Sequence, residues 1–179
     1  MGKNYVITTA QRGGLPNWEM LQSLKTYCEH NDAELLILPI NGLNPSSTKA
    51  DQKEHLHSYL RDNFNVIEGN FKINDNLDIK NFPVKAQQII PLTGWGRYVQ
   101  YDKSAIMASP KLFQKCEANS NRDLPRVIMS TGAVTHPHYK TNSWGTKALL
   151  DHRYAAIVVN VQDDEIFHYR QLTSTKNGV

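Results

Sequence analysis

The sequence predicts an α/β fold: an N-terminal β-α-β unit joined to a mainly antiparallel sheet that ends in a β-hairpin. Three observations carry this. Two short apolar runs, Tyr5 to Thr9 and Leu35 to Leu38, flank a segment whose apolar residues recur at helical spacing. From residue 64 onward, short apolar or alternating pieces are separated by Asn, Gly and Pro breaks, a strand-and-loop texture. Near the C-terminus, two strand-like runs meet across Gln162-Asp163-Asp164.

The first strand is β-branched and ends at Gln11-Arg12-Gly13-Gly14-Leu15-Pro16. Asn17 is a suitable N-cap, and Glu19 suits the positive end of the helix dipole. Met20, Leu24 and Tyr27, flanked by Leu21 and Cys28, form one apolar stripe, which makes Cys28 a buried thiol. Asn31-Asp32 ends the helix. The two strands of such a unit are parallel and their crossover right-handed. Gly13-Gly14 before a helix can bring amides toward an anion, but neither a Walker A loop nor a GxGxxG fingerprint is present, and a tight turn is the simpler reading.

After a polar loop (41 to 50), Asp51 and Glu54 resemble a capping box opening a short helix that buries Leu56, Tyr59 and Leu60. His55 and His57 on that helix would face different ways, which argues against a shared metal ion. Short strands are expected around 65–67, 71–73, 89–90 and 105–108, then Tyr154 to Val161 and Glu165 to Leu172. The polar tail TSTKNGV has no closing element and reads like a chain cut before its next segment.

A chain of 179 residues is expected to form a single domain with a real core. Its 40% hydrophobic and 21% charged content excludes wholesale disorder. Two cysteines make neither a disulfide framework nor a zinc set. The longest apolar run, Leu35 to Ile40, has six residues, far from a membrane span, and no secretory segment opens the chain. The net charge of +3 is too small to imply nucleic acid, but its distribution is uneven. Between Arg97 and Arg153 nine basic residues face four acids, so the second half suits an anionic partner.

Residues 127 to 154, VIMSTGAVTHPHYKTNSWGTKALLDHRY, concentrate the chemistry. Three histidines, two lysines, an arginine, an aspartate and two tyrosines follow a short apolar run, more titratable groups than a core segment can satisfy. A solvated loop is the plain reading; a polyanion site at a strand end is the sharper one. Ser130-Thr131-Gly132 has the hydroxyls and glycine amide of an anion nest. His136 and His138 with Asp151 and His152 are metal-ligand types, although Pro137 argues for a loop and no second firm acidic cluster accompanies them. Without metal, Lys147 could stabilise phosphate charge, His152 transfer a proton and Tyr139 donate a hydrogen bond or stack. Around Trp95, Arg97 and Lys103, aromatic and basic residues again mix.

The wording of several segments resembles a known family. LPRVIMSTGAVTHPHY, GTKALLDHRYAAIVV and FHYRQL, together with VITTAQ, LKTYCEHNDAELLILP, PLTGW and KSAIMASPKL, are similar in order to a domain of tailed-bacteriophage proteins. The likeness runs from about Val6 to Gly178. In longer members this domain follows a winged-helix-like segment and precedes a calcineurin-type metallophosphoesterase domain; some carry DNA-transfer or DNA-metabolism roles. The metallophosphoesterase's metal ligands are absent from this sequence. The resemblance implies a fragment or free-standing version of a longer phage protein, acting in the host bacterial cytoplasm. Its recurring residues map to Gln11, Pro91, Gly94, Ser104, Pro110, Lys111, Thr131, Gly132, Thr135, Tyr139, Lys147 and His152, while His136 and His138 depart from the pattern.

The expected function is therefore a phage module that binds DNA through a basic face, as part of a DNA-processing nuclease. Arg97, Lys103, Lys111, Lys140 and Arg153 would meet phosphates with Trp95 stacking, and Thr131, Gly132 and Gln11 would cradle a phosphate. Any catalysis would fall to His152, Lys147 and Tyr139, making the chain a phosphodiester hydrolase; no cofactor is expected within it. The alternatives are an enzyme processing phosphodiesters or nucleotides in its own right, and a non-catalytic module that binds phage or host proteins.

Overall fold

The structure, a computed structural model, describes residues 2–41, 54–81, 90–94, 99–119 and 125–174. Thirteen elements are assigned among them. They run β1 (Asn4–Gln11), α1 (Trp18–Asn31), β2 (Ala33–Ile40), α2 (Ser58–Asn63), β3 (Asn65–Val66), β4 (Asn70–Lys72) and β5 (Leu77–Lys80). There follow β6 (Ser104–Met107), β7 (Gln114–Glu117), β8 (Arg126–Ser130), α3 (Ser143–Asp151), β9 (Ala155–Val161) and β10 (Phe167–Thr173).

Two five-stranded sheets stack, in the orders β10-β9-β1-β2-β3 and β4-β5-β6-β8-β7. The β-α-β unit is as expected, with β1 and β2 parallel from Asn4↔Ala33 to Gln11↔Ile40. Asn17 caps α1 by accepting from the Met20 amide at 3.1 Å, and Asp32 ends the helix in the left-handed conformation. β9 and β10 form the expected antiparallel hairpin.

Residues of β1 are buried on both faces, so its two sets of side chains enter different cores. Tyr5 and Ile7 join Leu36, Leu38, Ile79, Ile106, Met129 and Ile157 between the sheets. Val6 and Ala10 meet Met20, Leu21, Leu24 and Cys28 of α1, together with Leu56 and Leu60. Leu92, Val99, Ala105, Met107 and Ile128 cover the outer face of the second sheet. Burial pushes the Cys28 thiol up to about 11, as befits an inert core sulfur.

Three expectations are corrected. The second sheet is mixed: β5-β6 and β6-β8 are parallel, and only the outer pairs β4-β5 and β7-β8 are antiparallel. The short helix begins at Ser58 with His57 as its cap, leaving His55, Leu56 and His57 in the approach to it; Asp51 lies outside the described residues. Finally, residues 143–151 form a helix, because Asn142 accepts from the Gly145 amide at 2.8 Å and starts one within an otherwise loop-like stretch. Of the strand expected at 89–90, Ile90 lies in a bend and residue 89 outside the described residues. Among the described residues no helix is long and apolar enough to cross a membrane.

Candidate functional site

β1 and β9 pair only between Asn4 and Ile7. Beyond that point they separate, and the segment after β8 fills the gap. Ala133 bridges Thr9 on one side and Tyr154 on the other. Thr9 N donates to Gly132 O at 3.1 Å, Val134 N to Thr9 O at 2.8 Å, and Ala133 N to Arg153 O at 2.9 Å. The strap thus carries the chain from the second sheet into the first. Gly132 makes this possible: its φ is 72°, and an added Cβ would collide with the Ala155 Cβ and lie 3.0 Å from Arg153 O.

Hydroxyl groups tie the strand ends together under this strap. Thr131 Oγ1 donates to Gly132 O at 2.8 Å, so its 2.6 Å contact with Thr9 uses the Thr9 hydrogen. Thr9 Oγ1 in turn accepts from Ser109 N at 3.1 Å, just past β6. Thr9, Gln11, Thr131 and Thr135 are fully buried. The nest expected at Thr131, Gly132 and Gln11 is therefore occupied by the protein's own groups, and solvent does not reach it.

Gln11 acts as a clasp. Its Oε1 accepts from His138 N at 3.0 Å and its Nε2 donates to His138 O at 3.5 Å, as a neighbouring strand would. Its own amide donates to Thr135 Oγ1 at 3.0 Å. The His138 ring reaches Glu54, with Nε2 3.2 Å from Oε1. Gly13 (φ 76°) lies against this pair; an added Cβ would sit 2.9 Å from His138 Nε2. The glycine-loop amides face protein acceptors: Gly13 N donates to His55 O at 3.0 Å and Gly14 N to Gln11 O at 3.1 Å.

The three histidines of the stretch diverge. His136 Nδ1 lies 2.8 Å from the Tyr154 hydroxyl, His138 meets Glu54, and His152 points inward. Among the described residues no group of three or more His, Cys, Asp or Glu side chains could hold a metal ion.

His152 is 7% exposed and both its nitrogens are engaged. Nε2 lies 3.0 Å from Thr135 O; a carbonyl only accepts, so Nε2 carries the hydrogen. Burial, the largest influence, pulls its pKa down to about 4, so the ring is neutral near pH 7. Nδ1 then accepts from the Tyr139 hydroxyl at 2.8 Å. Burial first, then the Asp151 charge, raises the Tyr139 phenol. Edge-on ring contacts continue this pair through Tyr154 to His136. Proton transfer to a substrate would require one of these hydrogen bonds to break.

Of the three residues with catalytic chemistry, the structure brings Tyr139 and His152 together. Lys147 is exposed on α3, with its ammonium 5.5 Å from the centre of the Trp144 ring. The expected basic face does not form as one surface. Lys111 is 5% exposed and pairs with Asp151 at 3.0 Å, and Lys103 lies 3.7 Å from Asp78. Asp151 thus pairs with Lys111, while Lys103 shares Asp78 with the nearer Lys80 at 3.0 Å. Lys140 and Arg153 are exposed at the two ends of α3, where Arg153 caps the helix by donating to Leu150 O at 2.8 Å. Trp95 and Arg97 lie outside the described residues. Trp144 was missed by sequence reasoning, although Asn142-Ser143-Trp144-Gly145 carries the signal of a capped helix start.

These features define an α/β sandwich of two mixed sheets, bound together by a buried hydroxyl and imidazole network. No protein-family model matches the chain. It is similar to Protein A1 of Escherichia phage T5, with 25% identity over 187 aligned positions covering 99% of this chain. The chain spans about a third, 33%, of the length of that relative. The solved structure of Vps29 from Chaetomium thermophilum aligns over 97% of each chain, with a TM-score of 0.47 and 11% identity.

Proposed function

We propose that this chain is a phage module that associates with nucleic acid, DNA first, through the exposed basic surface around α3. The observation that carries this reading is the position of Lys147 over the exposed Trp144, between Lys140 and Arg153 at the helix ends. The only carboxylate on α3, Asp151, is held by Lys111 at 3.0 Å, so it does not pair with Lys147 on the same helix. Likeness to a phage T5 protein supports a setting in the infected host's cytoplasm. The connection to a DNA-processing nuclease rests on the sequence resemblance to the domain that precedes a metallophosphoesterase. Within this chain, the buried neutral His152 favours binding over turnover.

The test is binding of labelled duplex and single-stranded DNA, followed by fluorescence anisotropy across a salt series. Phosphate-driven association weakens steeply as salt rises. Three cations correspond to a log–log slope of about −2 to −3. Loss of Lys140, Lys147 and Arg153 together should flatten the slope to near zero. Absence of binding to either DNA at low salt rejects the proposal.

A further inference from the structure

We infer that α3 is a stacking platform for single-stranded nucleic acid, with Trp144 receiving an unpaired base. This rests on the nucleic-acid reading above and narrows it to one ligand class. α3 inverts the usual arrangement of an amphipathic helix. It buries only its small residues, Gly145 and Ala148, and presents Trp144, Leu149 and Leu150 to solvent at 58%, 53% and 70% exposure. The contact face is the indole itself: Leu149 and Leu150 project about 140° and about 120° away from Trp144 around the helix, which leaves the exposed Trp144 ring beside Lys147 as the flat apolar surface.

The platform is held rigidly. The Asn142 side chain caps the Gly145 amide, and Asn142 N donates to Lys140 O at 2.9 Å. Lys140 O packs so closely on Gly145 that an added Cβ would collide with it. At the other end Arg153 is fastened to the carbonyls of Leu150 and His152, at 2.8 and 3.0 Å. A base needs a flat apolar surface and its phosphates need cations, and here both are set in place before the ligand arrives.

Charge decides the occupant. The Lys147 ammonium lies 5.5 Å from the centre of the indole ring, so the complementary partner is an anion with aromatic faces. A duplex keeps its base faces stacked within the helix, whereas a single strand offers them. Lys147 over the ring places a cation beside the stacking position, where a backbone phosphate follows its base.

The experiment compares oligo-dT of about 16 nucleotides, an abasic strand of equal length and a duplex, using the intact chain and its variants. Trp144→Ala should weaken oligo-dT binding about tenfold, Trp144→Phe should retain most of it, and duplex binding should change little. The abasic strand should bind the wild type about as weakly as oligo-dT binds Trp144→Ala. Equal binding of oligo-dT by wild type and Trp144→Ala overturns the platform, as does equal binding of abasic and normal strands. If duplex or strand binding persists in those cases, the broader nucleic-acid reading stands; if nothing binds at low salt, both fall. Sedimentation velocity supplies the remaining outcome: a dimer dissolved by Leu150→Asp assigns this face to a second copy and overturns the inference.

Discussion

The Tyr139 hydroxyl donates to His152 Nδ1 at 2.8 Å, while the opposite nitrogen of the same ring donates to Thr135 O at 3.0 Å. The imidazole of the residue that follows α3 thus ties together Thr135 and Tyr139, both on the segment after β8. Its neutral form is the one the fold accommodates, since burial opposes a charge there.

This arrangement makes stability depend on pH. In the unfolded chain His152 takes up a proton near its ordinary pKa of 6.5, whereas in the folded protein it does so only near 4. The unfolded state therefore binds more protons between these values, and stability falls as pH is lowered from 6.5 toward 4. The contribution is fully present above the upper value and amounts to roughly 3 kcal/mol at most. Urea unfolding at a series of pH values should show this decline, and His152→Gln should reduce it. An unchanged pH profile in that variant would place the origin elsewhere.

Tyr139→Phe removes the donor to Nδ1 and leaves a buried acceptor unpaired. The expected loss is about 1–3 kcal/mol in unfolding free energy. A change below about 0.5 kcal/mol, within the range of ordinary surface substitutions, would show that water or another donor takes over.

Gly132→Ala meets two obstacles at once, a positive φ and the Cβ of Ala155. A loss of about 2–4 kcal/mol is expected from strain and overpacking together. The double variant with Ala155→Gly should recover only part of that, because it relieves the contact and leaves the dihedral. Full recovery would mean the backbone conformation is not the limiting factor.

Gly145→Ala reverses a general rule. Alanine in a helix interior is usually worth about 1 kcal/mol over glycine. Here the methyl group would run into Lys140 O, so the substitution should destabilise and change the emission of Trp144. A gain in stability would show that the turn at residues 140–142 yields easily.

Gln11→Ala should expose the strap locally. Without the clasp, the His138 amide loses its acceptor at 3.0 Å, and its hydrogen exchange should accelerate ahead of β1 and β8. Unchanged protection at His138 would remove Gln11 from this role.

The elements legible in the sequence are those whose signal is local. The β1-α1-β2 unit follows from one strand run, one capped helical stripe and a second strand run, and the C-terminal hairpin from two runs joined by a short turn. α3 was hidden because its apolar residues face outward and its buried ones are small, the reverse of the pattern that periodicity detects. The parallel pairs of the second sheet, expected to be mainly antiparallel, are not legible because short strands carry no mark of their partners. β6 and β8 pair in parallel although β7 comes between them in sequence and lies at the sheet's edge, a choice made by packing.

The candidate site divides in the same way. Composition identified residues 130–153 as rich in hydroxyl, imidazole and cationic groups, and the structure keeps them in one region. It could not say which would be satisfied inside and which would face water. Lys111 and Asp151 are forty residues apart in sequence, yet their charges meet. Thr9 and Thr131, 122 residues apart, share a hydrogen.

By itself the sequence determined the order of the N-terminal elements, the hairpin and the concentration of polar chemistry after β8, because each is encoded within a short window of residues. Tertiary structure alone decided that Thr131, Gln11 and His152 are buried and mutually bonded, and that Trp144 and Lys147 lie on the surface. Desolvation is the reason: a polar group's chemistry depends on whether water or protein surrounds it, and that is settled only when distant strands close over it.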